Sequence, residues 1–245
     1  MVKSAARVFE LLELFDAERR PLRVTEIVQR LDMPQSSVSM LLKTMVARGY
    51  MEFDAADRSY CPSVRISFLN EWAMRAPGQR QDMQDAMRRL ADDTGESVLL
   101  GRQSGLLLQY VSIIESQRAL RFSPSPGTLR PLHRTAIGIM LLSRQDDERI
   151  GLLLRRYNAE KLGPTARIAE TFRAIAFARE HGWYESASLA TPGAGVIATL
   201  LPTPIRQQRL AIGVGAPVDR LHKRRRALLD AVLAAAQATA TTQAK

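Results

Sequence analysis

The run Asp32-Met33-Pro34-Gln35-Ser36-Ser37-Val38-Ser39-Met40-Leu41-Leu42-Lys43-Thr44-Met45-Val46-Ala47-Arg48-Gly49 says more about this chain than any other stretch of it. Val38, Leu41, Leu42, Met45 and Val46 recur at i, i+3, i+4, i+7 and i+8, which predicts a helix from Pro34 to Arg48 with one core-facing stripe. Asp32 tolerates a left-handed backbone and Pro34 suits the first helical position, so a tight turn precedes the helix. The opposite face holds Ser36, Ser39, Met40, Lys43 and Ala47, with Gln35 and Ser37 in the first turn. From Met33 to Met51 there are two cations and no acidic residue. Small hydroxyl and amide side chains let a helix approach base edges and phosphates closely, and its first amides favour anions.

Two shorter helical patterns precede this run. Ala5, Val8, Leu12 and Phe15 are spaced as one helix, with Ser4 as its expected N-cap and Asp16–Pro21 as its end. Ile27, Val28 and Leu31 make a second helix, with Glu26 in its first turn. Beyond Gly49, Tyr50–Phe53, a turn at Asp54–Asp57 and Arg58–Cys61 read as a hairpin. Helix, helix, turn, helix and hairpin are the order of a winged helix-turn-helix, with Arg58 on the wing. The competing reading is a three-helix cap whose polar face is merely solvated; the ordered set, together with the acid-free helix, favours DNA. Thr25, Gln35, Ser36, Ser37, Ser39, Met40, Lys43 and Arg58 are the side chains expected to meet it.

Bulk charge alone would not support that conclusion. The 245 residues carry 35 Lys and Arg against 25 Asp and Glu, but residues 1–76 net only +1 and residues 77–245 net +9. With 46% hydrophobic residues, disordered and collagen-like chains are excluded. One cysteine, Cys61, rules out a disulfide framework, and three scattered histidines offer no metal-ligand spacing. No apolar run of about 18 residues occurs, and Lys3, Arg7 and Glu10 interrupt the N-terminus. The expectation is a soluble, cytoplasmic protein with no membrane partner, cofactor or metal.

Residues 63–77 read as a linker helix, with Ile66, Leu69, Trp72, Ala73 and Ala76 forming a stripe that packs on its own domains or on a partner. From residue 78 a second domain begins. Helices fit Met83–Leu90, Pro131–Ser143, Asp146–Arg156, Ile168–His181 and Lys223–Ala240. Strands fit Ser97–Arg102, Leu106–Ile114, Tyr184–Leu189, Val196–Leu201 and Leu210–Gly215, with a short one near Arg121-Phe122. Two groups of strands around central helices indicate an α+β domain with a mostly antiparallel sheet. Phosphate loops, dinucleotide fingerprints and nucleophile elbows are missing, so nothing here favours an enzyme. A metabolic enzyme with a helical cap remains the rival, with Glu185 and His133 its only testable groups; a scaffold is the other rival. Lys223-Arg224-Arg225-Arg226 reads as a solvated helix face.

The segments Ser4-Ala5-Ala6-Arg7-Val8, Pro34–Leu42 and Arg58-Ser59-Tyr60, followed by Pro131–Gly138, His181–Glu185, Ile197-Ala198 and Ile212–Pro217, resemble the IclR family of bacterial transcriptional regulators. The resemblance implies three parts: a winged helix-turn-helix over 1–62, the linker helix, and a GAF-like effector-binding and oligomerisation domain over 78–245. It also implies homodimers or homotetramers on pseudo-palindromic double-stranded operators, tuned by a small metabolite, often an organic or aromatic acid. Met40 stands where the family usually has Arg, which leaves more of the contact to Lys43, Gln35 and the serines. Polar effector positions of some members correspond to Ser186, Val196, Gly213 and Gly215 here, which suggests a roomier, less polar pocket and a larger, more apolar, aromatic effector. Ala136, Ile137, Ile139, Val196 and Ala198 would form its apolar wall, with Leu106 and Leu108 beside it, and Ser186 or Thr135 would fix a polar group. The alternative is that Leu106, Leu108 and Met140 fill the space over the glycines.

Overall fold

The computed structural model describes residues 2–68, 79–202 and 208–241. The chain divides into two compact units, Met1–Pro77 and Gly78–Lys245.

In the first unit, α1 (Lys3–Glu18), α2 (Val24–Leu31) and α3 (Gln35–Ala47) enclose Leu11, Phe15, Ile27, Val38, Leu42 and Met45. The helical spacing in the sequence marks these side chains as inward-facing. Ser4 lies inside α1 and does not cap it: Val2 holds that position, with no side-chain cap bond. Pro34 likewise sits one residue before the first helical position. Its carbonyl accepts the Ser37 and Val38 amides while its own backbone stays extended. Asp32 is left-handed, with φ +49°, as the turn requires. Leu22–Arg23 form a short strand, β1, that the sequence reading missed. It pairs with β3 (Ser59–Pro62), which pairs in turn with β2 (Met51–Asp54). Gly49, at φ +76°, releases α3 into this wing. Of the segment read as a linker helix, Val64–Phe68 form a helix, α4; Leu69, Trp72, Ala73 and Ala76 lie outside the described residues.

The second unit is a single antiparallel sheet with helices on both faces. Its strands are β4 (Ser97–Ser104), β5 (Leu107–Ile114), β6 (Leu129–Pro131), β7 (Trp183–Ala187), β8 (Ala194–Leu200) and β9 (Leu210–Pro217). They lie in the order β6-β5-β4-β9-β8-β7. Residues 121–122 are not a strand; the third short strand is β6. Side chains alternate between the two faces. Val98, Leu100, Ile197, Ile212, Val214 and Ala216 pack towards α5 (Gln79–Thr94) and α10 (Arg225–Thr241). Leu99, Leu108, Tyr110, Val196, Ala198 and Ala211 pack towards α6 (Ala136–Leu142), α7 (Asp147–Ala159) and α8 (Ile168–His181). Gly182, left-handed at φ +76°, closes α8. The helix read as Pro131–Ser143 is broken: Leu132–Arg134 form a 3-10 turn, and the Thr135 hydroxyl caps α6 by accepting the Gly138 amide at 3.0 Å.

The helix read as Lys223–Ala240 is α10, and a short helix, α9 (Val218–Lys223), that the sequence reading lacked precedes it. Arg224 and Arg225, read as solvated, are tied down. Arg224 donates to the Thr94 carbonyl at 2.7 Å, and Arg225 pairs with Glu185 and covers the Trp183 ring. Nearby, the fully buried Glu96 carboxylate receives both arms of Arg220, at 2.6 and 2.7 Å, with Arg118 at 3.6 Å and Arg224 at 3.5 Å. A buried carboxylate needs such partners, since isolated it would cost several kcal/mol.

Candidate nucleic-acid interface and effector cavity

On α3 the side chains sort as the spacing demands. Val38, Leu42 and Met45 are buried, whereas Gln35, Ser36, Met40, Lys43 and Thr44 are exposed and Ser37 and Ser39 half-buried. Met40 stands 70% exposed at the centre of that face. Thr44, whose hydroxyl donates to the Met40 carbonyl at 2.8 Å, belongs to the same face and was overlooked; counting four on from Met40 would have found it. Thr25 is exposed on α2. Arg58 is exposed at the wing turn with φ +52°, so its backbone is fixed in a left-handed bend while its side chain is free of ion pairs among the described residues. The wing is mixed in charge: Asp54 and Asp57 flank it, although Asp54 is occupied by the Ala56 amide and the Asp57 carbonyl by Arg23.

In the second unit the eleven residues assigned to an effector separate. Thr135, Ala136, Ile137, Ser186 and Val196 line one cavity together with Tyr110, Phe122, Leu189, Ala190, Thr191 and Ala194. Leu106, Leu108, Ile139, Ala198, Gly213 and Gly215 do not border it. The reason is packing. A Cβ on Gly213 would come 3.0 Å from Val196 Cγ1 and 2.9 Å from the Ile197 carbonyl. One on Gly215 would come 2.6 Å from Phe122 Cδ1. Leu108 and Ile137 press onto Gly101 instead, and Ile139 and Ala198 are wholly buried in the core. Leu106 lines a separate open groove beside Leu152 and Arg149. The roomy pocket inferred from the missing side chains is therefore closed: the space that remains is about 10 Å³. The glycines are filled, but chiefly by Phe122 and Val196 rather than by Leu106 and Met140.

The cavity polar groups are partly committed. Ser186 Oγ accepts the Ala136 amide at 3.0 Å, and the Thr135 hydroxyl is used as the cap. Burial pushes the Tyr110 phenol up to about 12, with Arg130 pulling the other way. Loop residues Leu189–Thr191 roof the cavity, held by the Arg134 guanidinium on the Leu189 carbonyl and by the Val218 amide on the Gly193 carbonyl. His133 and Glu185 do not border it. Burial, with Arg134 close by, lowers the His133 imidazole to about 4, and its ring packs edge-on against Tyr157. Glu185 lies against Arg225 and His222. Among the described residues no group of three His, Cys, Asp or Glu side chains could hold a metal, and no helix is long and apolar enough to cross a membrane.

A winged helix-turn-helix joined in one chain to an α+β unit of this topology defines a class, the DNA-binding transcriptional regulators with an effector domain. The profile of the IclR helix-turn-helix domain matches residues 4–55, and that of the bacterial transcriptional regulator IclR C-terminal domain matches residues 78–241. The chain belongs to the IclR family. It is similar to the HTH-type transcriptional regulator BhcR of Paracoccus denitrificans, 29% identical over 96% of this chain and 85% of that one. The effector domain of an IclR regulator from Acinetobacter sp. ADP1 superimposes with a TM-score of 0.63 at 29% identity, over 66% of this chain and 96% of that one. The IclR of Thermotoga maritima, at 15% identity, shares the fold with a TM-score of 0.62 over 97% of this chain and 98% of its own. Regulators of this family bind DNA operators and small-molecule effectors; they are not enzymes, and the reading as a capped metabolic enzyme is set aside.

Proposed function

We propose that this regulator acts in the bacterial cytoplasm. It would bind a pseudo-palindromic operator as a homodimer or homotetramer, with α3 in the major groove and the wing against the backbone. Residues 1–62 would form the DNA-binding domain, 63–77 the linker helix, and 78–245 the effector-binding and oligomerisation domain. One observation carries the DNA reading: the exposed face of α3 presents Gln35, Ser36, Met40, Lys43 and Thr44 with no carboxylate among them. Lys43 and Arg58 would neutralise phosphates, Ser36 and Thr25 would anchor the backbone, and Gln35 would read a base edge. Met40 suits a thymine methyl group, an apolar contact in place of a charged one.

The effector would enter the cavity between Thr135–Ile137, Ser186 and Val196, with Tyr110, Phe122 and Thr191 completing the wall. Helix α6 and strand β7 meet there through the bond between Ser186 and the Ala136 amide, so a ligand at that junction can shift both elements.

The decisive experiment uses the purified full chain with a duplex taken from beside its own coding region. Binding at low ionic strength that weakens steeply with salt is expected; indifference to every duplex refutes the reading. In selection from a random-site library, Gln35→Ala should relax preference at one base pair by about 1–3 kcal/mol. An unchanged motif removes Gln35 from the reading set.

A further inference from the structure

Phe122 separates two spaces. On one side lies the inner cavity of about 10 Å³; on the other is an open vestibule of about 560 Å³. Phe122, Thr191 and Ala194 border both. One edge of the ring packs over β9: Cδ1 and Cε1 would be 2.6 and 3.4 Å from a Cβ on Gly215, with Leu99 Cδ1 at 3.2 Å. Gly215 thus leaves a slot in the sheet surface shaped by a phenyl ring. An apolar void of about 150 Å³ admits benzene. The cavity as it stands is far smaller, so a ring-sized ligand enters only by taking the place of Phe122.

The segment carrying Phe122 is built to let it go. Leu120 is held by its carbonyl, which accepts from Arg220 at 2.9 Å, and Ser125 by its carbonyl, which accepts the Thr128 amide at 3.2 Å. Between them, the backbone of Phe122 forms no hydrogen bond among the described residues. Residue 122 is anchored by its buried ring alone, so its release breaks no backbone bond. The vestibule into which it would swing presents Arg121, Arg130 and Asp219. Arg121 is paired with Glu115, whereas Arg130 has no carboxylate partner among the described residues and donates only to the neighbouring Leu129 carbonyl.

From this arrangement we infer that the Phe122 ring occupies the aromatic subsite of the effector site. The effector is an aryl carboxylate whose ring replaces that of Phe122 over Gly215 and whose carboxylate pairs with Arg130. This rests on the cavity being the effector site and on the aromatic acid already expected from the sequence, and it adds the two residues, Phe122 and Arg130, that select the ring and the carboxylate. Phe122 taxes binding by competing for the slot, so shortening it raises apparent affinity.

The test is calorimetric titration of the full chain with benzoate, benzyl alcohol and pyruvate. Benzoate should bind Phe122→Leu and Phe122→Ala at least tenfold more tightly than the unaltered protein. Gly215→Ala, which narrows the slot, should weaken it tenfold or more. Arg130→Gln should weaken benzoate about tenfold and leave benzyl alcohol unchanged. Phe122→Leu keeps most of the packing, so the result does not depend on the alanine variant folding. If neither Phe122 variant gains affinity for benzoate, the inference falls. If pyruvate binds, and Ser186→Val abolishes that while benzoate never binds, the cavity stays the effector site and only its aromatic character is lost. Benzoate binding that survives both Gly215→Ala and Ser186→Val overturns the cavity reading as well.

Discussion

The outer face of α3 carries three serines and the inner face of β9 two glycines, and the two do opposite things with the space that small residues leave. On α3, Ser36 stays exposed and Ser37 and Ser39 half-exposed, because the hydrophobic stripe of the same helix already satisfies the core. On β9, Gly213 and Gly215 face the interior, and neighbours move in: Val196 and the Ile197 carbonyl over the first, Phe122 over the second. Small residues on a surface leave room for a partner. Inside a domain they draw their own neighbours closer, since interiors pack to the density of organic crystals.

The largest loss is expected where a buried charge holds the interior together. Glu96→Ala strips three guanidinium groups of their shared buried carboxylate. It should cost about 3–5 kcal/mol, seen in urea denaturation as an early loss of the second unit's transition. A preserved midpoint would mean that the arginines are adequately solvated without it. Next comes Gly138→Ala in α6. Its Cβ would collide with the Leu132 carbonyl, a backbone atom that cannot turn aside, for about 1–3 kcal/mol. On the outer face, Ser36→Ala should change stability by less than about 0.5 kcal/mol. Equal losses at positions 36 and 138 would erase the distinction between the two faces.

Smaller effects sharpen it. Lys43→Ala and Arg58→Ala should leave unfolding unchanged. Each should lower the slope of log affinity against log salt by about one unit if it meets a phosphate, measured by fluorescence anisotropy on a fixed duplex. An unaltered slope in both variants would remove these cations from the interface. The subtlest expectation concerns pH. An unfolded imidazole takes up its proton near pH 6.5, whereas His133 in the fold does so only near 4. The unfolded chain therefore binds more protons across that window, and stability falls as pH is lowered through it. His133→Phe, which keeps a ring against Tyr157, should flatten the dependence of melting temperature on pH between 6.5 and 4. A profile parallel to that of the unaltered protein would assign the acid sensitivity to other groups.

Legibility in the sequence followed the range of the force involved. The stripe Val38, Leu42, Met45 and the apolar run Val196–Leu201 are properties of a few consecutive positions, and α3 and β8 formed close to where they placed them. Turn stereochemistry at Asp32, Gly49 and Gly182 was equally local. Ser4 as a cap failed because the helix extends upstream through Lys3, and extended Val2 takes the cap position. Strand β1 was missed because two residues carry no period. The cavity was half legible: Thr135, Ala136, Ile137, Ser186 and Val196 converge, but Phe122 sits in an irregular loop with no pattern to announce it.

Composition and spacing by themselves determined a winged helix-turn-helix with an uncharged-to-basic recognition face, followed by an α+β domain with an antiparallel sheet. The reason is that helical stripes, strand alternation and turn residues are properties of a few consecutive positions. Which side chain fills the space above Gly215, which arginines share Glu96, and how small the cavity becomes were decided only by the tertiary structure. Those outcomes depend on contacts between residues far apart in the chain, such as Thr94 and Arg224, 130 positions apart, and close packing leaves no rule in the linear sequence for which neighbour arrives first.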